Sequence, residues 1–169
     1  MSLSDQEMMF DEISNPLDSV EDILAGQQWS FSRMNPDELM VDVSGKLGTY
    51  RMVFLWQEEY SAMQFNCHFD LIAGEDRRDM TALALAQVNA GLWLGHFDVP
   101  ADTGVPCFRH TSLFRGQTQS SGADHLQDLM DIALAECERY YPMFQLLTQE
   151  GGMDPATLNL AVLDSAGQA

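Results

Sequence analysis

Four side chains in the second half of the chain, His96, Asp98, Cys107 and His110, carry the donors a zinc ion takes: imidazole nitrogen, carboxylate oxygen and thiolate sulfur. The period of a β-strand puts His96 and Asp98 on one face. Cys107 and His110 are three residues apart and point to opposite faces of a regular strand, so only a bulge would bring all four to one ion. Buried cysteine and hydrogen-bonded histidines are the plainer reading, and no metal or other cofactor is expected. Cys67 and His68 are neighbours on a strand-like run and face opposite ways, which argues against a thiolate activated by a base. The chain contains no Gly-x-Ser-x-Gly, no phosphate-cradling glycine-rich loop ending in lysine and no His-Glu-x-x-His. Paired acids such as Glu58 and Glu59, or Glu136 and Glu138, single out no site in so acidic a chain, and a solvated face explains them. With no convergent catalytic set, the expectation is a protein that is not an enzyme.

Binding is the chemistry that remains. Arg109, His110 and Arg115 gather basic groups in one segment, suited to acidic groups of a partner or a small anion, although exposed ion pairs contribute little. Eleven methionines and three tryptophans are in excess. Thioethers fill irregular core gaps and also suit surfaces that bind varied apolar segments. Met52, Met63, Met80 and Met130 fall on buried stripes, which leaves Met34, Met40 and Met143 for a binding surface. The candidate partner contacts are Trp56, Trp93, Phe97, Phe108 and Arg109, although for each alone a core or structural role is the plainer reading. An alternative is a small-molecule or zinc sensor built on the His96, Asp98, Cys107 and His110 region.

These residues need elements to hold them. Asn15 suits a helix cap and Pro16 the first helical position, and Leu17, Val20, Ile23 and Leu24 recur at helical spacing up to Gly26. Four strand-like runs follow, over residues 29–34, 39–43, 50–57 and 63–71, separated by Asn-Pro-Asp, Ser-Gly and Glu-Glu-Tyr-Ser turns. Met63, Phe65, Cys67, Phe69 and Leu71 share one face of the last run, opposite Gln64, Asn66, His68 and Asp70. The third run is apolar on both faces, which predicts a central strand covered on both sides. Short turns make neighbours antiparallel. A second helix is expected over 77–94, with Met80, Leu83, Ala84, Val88 and Leu92 as its stripe. A strand pair over 96–99 and 105–114 comes next, then a polar loop over 115–122. Ser121 and Asp124 resemble a capping box before the longest helix. Its stripe runs through Leu126, Leu129, Met130, Ala133, Cys137, Tyr140, Tyr141, Phe144 and Leu147, and Pro142 predicts a kink or break near Tyr141.

At 169 residues and 46% apolar, the chain suits one domain: an arm over 1–14, an α+β domain over 15–148 and a mobile tail over 151–169. Against 26 Asp and Glu stand 8 Lys and Arg, a net charge of -18. Such a surface repels phosphate backbones and anionic lipid heads, so neither nucleic acid nor a membrane is an expected partner. The start has no basic, apolar leader pattern, and the odd set Cys67, Cys107 and Cys137 contains no Cys-x-x-Cys pair. A cytoplasmic protein with reduced cysteines is expected.

Five segments, Asn15-Pro-Leu-Asp-Ser-Val-Glu, Phe54-Leu-Trp-Gln-Glu-Glu, Asn89-Ala-Gly-Leu-Trp-Leu-Gly-His-Phe-Asp, Val105-Pro-Cys-Phe-Arg-His-Thr-Ser-Leu-Phe and Ala135-Glu-Cys-Glu-Arg-Tyr-Tyr-Pro, resemble the YbjN family, described as putative bacterial sensory transduction regulators. The resemblance spans residues 15–148. It implies the fold of the type III secretion chaperones, an antiparallel sheet flanked by helices in subunits that dimerise, and it supplies no catalytic residues. The expected function is a cytoplasmic protein-binding module, a regulator or chaperone-like adaptor, acting as a homodimer on a protein partner. An extended apolar segment of that partner would lie along a helix and a sheet edge.

Overall fold

Asn15 performs its expected duty: its Oδ1 accepts from the Leu17 amide at 3.0 Å, and Pro16 leads into helix α1, Leu17–Gly26. Leu17, Val20 and Leu24 are buried along one side of this helix. The computed structural model describes residues 15–115 and 119–148 and, beyond them, residues 157, 161–163 and 165. The expected arm over 1–14 lies outside the described residues.

Strands β1 (Phe31–Asn35), β2 (Glu38–Ser44), β3 (Thr49–Gln57) and β4 (Ala62–His68) follow α1 as a meander. Next come α2 (Arg78–Gly91), β5 (His96–Asp98), β6 (Cys107–Leu113) and α3 (Gln119–Thr148), with single 3-10 turns at Glu58–Tyr60 and Glu75–Arg77. All pairings are antiparallel and the strand order is β1-β2-β3-β4-β6-β5. The molecule is an α+β fold on a six-stranded antiparallel sheet.

Register sorts the side chains by face. Met52 opposes Cys67, which opposes Phe108, which opposes Phe97. All four are buried, as are Phe54 and Phe65 in the next row. The helices pack on this side. Every residue of the stripe expected for α3 is buried, from Leu126 to Leu147. Rings join the layers: Phe69 packs edge-on against Phe144 at 4.9 Å and Phe97 edge-on against Tyr140 at 5.6 Å. Each ring buried this way contributes about 1.5–3 kcal/mol over leaving it in water.

Four expectations about elements are corrected. β3 is central, but Val53 and Leu55 on its second face are only half-buried and Arg51 is exposed, so among the described residues one side of the sheet has no covering layer. In α2 the line Thr81, Ala84, Val88 turns inward and leaves Leu83 exposed, and the helix ends at Gly91. α3 starts at Gln119, before Ser121, whose side chain lies outside the described residues, and it continues through Pro142 without a break. Pro142 is exposed, which spares its ring any clash with the core. Within the expected mobile tail, residues 161–163 are helical and Val162 is buried with the core. The cause is apolar: Val162 gains more by leaving water than a free tail would.

Candidate interaction site on the sheet

A sheet presents two edges and two faces, and here one face is filled by helices. β5 is one edge. Asn89, on α2, closes it: its Nδ2 donates to the Phe97 carbonyl at 3.0 Å and its Oδ1 accepts from the Phe97 amide at 2.8 Å. One carboxamide thereby takes the place of a neighbouring strand. The other edge, β1, has no strand beside it among the described residues. Its irregular register at Arg33 and Asn35 disturbs only its end. Arg33 is held back against α1 by Glu21, 2.7 Å away, and by Asp18. A hollow of about 620 Å³ lies beside this edge, between Trp29, Phe31, Met40 and Arg51.

The open face carries two polar rows. Asp42, Arg51, His68, Cys107 and Asp98 lie side by side across five strands. Val53, Asn66, Arg109 and His96 form the row beside it. Arg51 pairs with Asp42 at 2.9 Å and Arg109 with Asp98 at 3.2 Å, both exposed to water. A concavity of about 780 Å³ spans this face between Asp42 and the 100–105 segment. Burial keeps the His68 ring neutral below its ordinary range, helped by the positive charges of Arg51 and Arg109. Burial likewise pushes the Cys107 thiol up to about 12, with repulsion from Asp98 in support. That thiol is protonated and unreactive at neutral pH.

The four zinc-type residues are not brought together. His96, Asp98 and Cys107 stand on the open face, whereas His110 opposes Phe65 on the helix side, where burial and repulsion from His125 and His96 depress its protonation. No group of three or more His, Cys, Asp or Glu side chains among the described residues is placed to hold a metal ion. Ser112 and His125 sit 2.8 Å apart, the distance of a nucleophile and its base, but Ser112 is buried and the His125 ring packs on Phe114.

The five candidate partner contacts divide. Trp56, Phe97 and Phe108 are buried in the core and offer a partner almost no surface. Their alternation places them on the helix side, where rings find an apolar layer to pack against. Met143 is corrected in the same way, being fully buried on α3. Trp93 is 77% exposed after α2, and Arg109 stands on the open face. Met34 is exposed on β1. Asn89 was missed by sequence reasoning; a polar residue one position past the buried Val88 is the trace it leaves. Arg51 and His68 were missed because only strand pairing makes them neighbours.

The family model described as "YbjN: Putative bacterial sensory transduction regulator" matches residues 16–146. The chain belongs to the YbjN family. A solved structure described as "Crystal structure of YbjN, a putative transcription regulator from E. coli" aligns with a TM-score of 0.49 at 14% identity, covering 74% of this chain and 93% of that one. Among curated proteins, none matches the chain significantly. No helix among the described residues of this YbjN member is long and apolar enough to cross a membrane.

Proposed function

We propose that this YbjN protein is a non-enzymatic cytoplasmic regulator or chaperone-like adaptor that binds a protein partner by strand addition at β1 and works as a homodimer. The observation that carries this reading is the asymmetry of the edges: Asn89 occupies β5, while β1 has no strand beside it among the described residues. A partner segment on β1 gains backbone hydrogen bonds, and its alternate side chains reach the hollow beside Phe31 and Met40. Exposed Met34 on the same strand supplies a flexible apolar contact.

Capture of the endogenous protein from its own cells, beside a Ser32→Pro variant, tests this. Stoichiometric recovery of one partner with the natural chain, and its loss with Ser32→Pro, is the expected result. Should Ser32→Pro fail to fold, Met34→Glu changes an exposed side chain on the same strand and serves instead. Recovery of the chain alone, or a partner indifferent to both variants, overturns the reading. Light scattering over a dilution series tests the dimer separately, and a monomer mass at every concentration sinks it.

A further inference from the structure

A smaller hollow, of about 240 Å³, opens on the open face of the sheet where β4, β6 and β5 run side by side. Five residues around it point outward on that face: Gln64 and Asn66 from β4, Arg109 and Thr111 from β6, and His96 from β5. Pairing register brings them together, since Gln64 opposes Thr111, Asn66 opposes Arg109, and Arg109 opposes His96. Phe65 and His110 also border the hollow and project to the helix side. Gln64 and Asn66 are half-buried, while His96, Arg109 and Thr111 are exposed, so each of the five keeps surface that a solute can reach.

Every one of these side chains can donate a hydrogen bond, and none is a carboxylate. In a chain with 26 Asp and Glu against 8 Lys and Arg, such a set stands apart. The larger concavity next to it, which shares Asn66 and Arg109, is bordered by Asp42, Asp70 and Asp102. The donors are also unspent. Among the described residues the side chains of Gln64, Asn66, His96 and Thr111 make no hydrogen bond to the protein. Arg109 gives one nitrogen, Nη1, to Asp98 at 3.2 Å. A guanidinium carries its N–H groups in a planar fork, so the rest of this one is available to a second acceptor. Size narrows the choice further, because the hollow falls below the roughly 300–1,000 Å³ of sites for drug-sized ligands.

We propose that this hollow binds a small oxyanion, a carboxylate or a phosphate, held by the Arg109 fork with Asn66, Gln64, Thr111 and His96 completing a shell of donors. Other classes fit worse. A cation finds no carboxylate lining the hollow, and an apolar molecule would strip water from five polar side chains without replacing their hydrogen bonds. The net charge of -18 repels an anion from a distance, but at about 0.15 M salt exposed charges more than about 8 Å away are largely screened, and the donors are in contact. Asp98 competes for the same guanidinium and holds the affinity down. The proposal does not depend on strand addition at β1.

Titration of the full chain with inorganic phosphate and, separately, with acetate tests the site, at ionic strength held constant with sodium chloride. The NMR shifts of the Gln64 and Asn66 carboxamides and of the Thr111 amide report binding. Saturable shifts are expected, and saturation by phosphate alone, by acetate alone or by both states which oxyanion the site takes. Arg109→Gln should weaken binding about tenfold or more, the loss of a charged hydrogen bond, and Thr111→Val about threefold. Asp98→Asn frees the guanidinium and should tighten binding. Arg51→Gln removes the same charge from the same face outside the hollow and should leave the affinity unchanged. If Arg109→Gln does not fold, Thr111→Val and Asp98→Asn carry the test through their opposite signs. The proposal is overturned if neither ion gives saturable shifts, or if Arg51→Gln weakens binding as much as Arg109→Gln, which would show a response to net charge alone.

Discussion

Two residues whose side chains do little by way of burial decide local geometry at the β5 edge. Asn89 satisfies both outward backbone groups of Phe97, a residue whose ring is buried. Asn89→Ala is expected to cost about 2 kcal/mol in urea unfolding and to speed hydrogen exchange of the Phe97 amide, because that amide loses its acceptor. Gly95 precedes the strand with φ +67°, and a Cβ there would meet the Phe108 ring at 2.3 Å and the Arg109 carbonyl at 2.9 Å. Gly95→Ala should cost about 3 kcal/mol, combining a left-handed backbone with an overpacked ring. A shift of the urea midpoint below that of Trp93→Ala, an exposed control, measures it. Sequence reading found Phe97 and Phe108 by type and left them between the core and a contact surface. Aromatic residues serve cores and interfaces equally, and only pairing register chooses between the two.

At the scale of elements, α3 shows how far periodicity reaches. Its apolar stripe, spaced at three and four, matches the buried set from Leu126 to Leu147 because helical geometry is local. Pro142 is the exception to local rules. Its helix runs on through it, held by Tyr141, Met143 and Phe144 in the core. Packing there outweighs one lost backbone bond. Pro142→Ala restores that bond at an exposed position and is expected to stabilise the protein by up to about 3 kcal/mol, read from thermal and urea unfolding. An unchanged or lowered stability would mean that the proline's rigidity in the unfolded chain compensates. β3 teaches the complementary lesson. Val53 and Leu55 looked like a second buried face, yet among the described residues no covering layer lies over them. Whether a neighbour exists is not written within nine residues of strand.

For the whole molecule, protonation and net charge set the conditions of stability. His68 and His110 are both held below the ordinary histidine value of 6.5, chiefly by burial. The unfolded chain therefore takes up protons first as pH falls, and stability from these rings, complete above about 6.5, is lost on acidification. Cys107 acts at the other end. Its thiol rises from 9.0 to about 12, so the unfolded chain releases that proton first and stability falls as pH climbs above about 9. A plateau between those limits is the expected result of urea unfolding at fixed ionic strength, and His68→Gln should flatten its acidic shoulder. Separately, a net charge of -18 repels itself, so raising salt from about 0.01 M to about 0.15 M should raise the melting temperature. A fall on adding salt would show that the Arg51–Asp42 and Arg109–Asp98 pairs outweigh the general repulsion. By itself the sequence determined the order of elements, the α3 stripe, the alternation of β4 and the membership in the YbjN family, since each depends on residues near one another or on a pattern along the chain. Only the tertiary structure decided that one sheet face has no helix over it among the described residues, that Asn89 closes the β5 edge, that His110 stands on the opposite face from His96, and that the Thr81 hydroxyl is buried without a partner. Each of those depends on which distant strands and helices become neighbours, and a one-dimensional period carries no record of that.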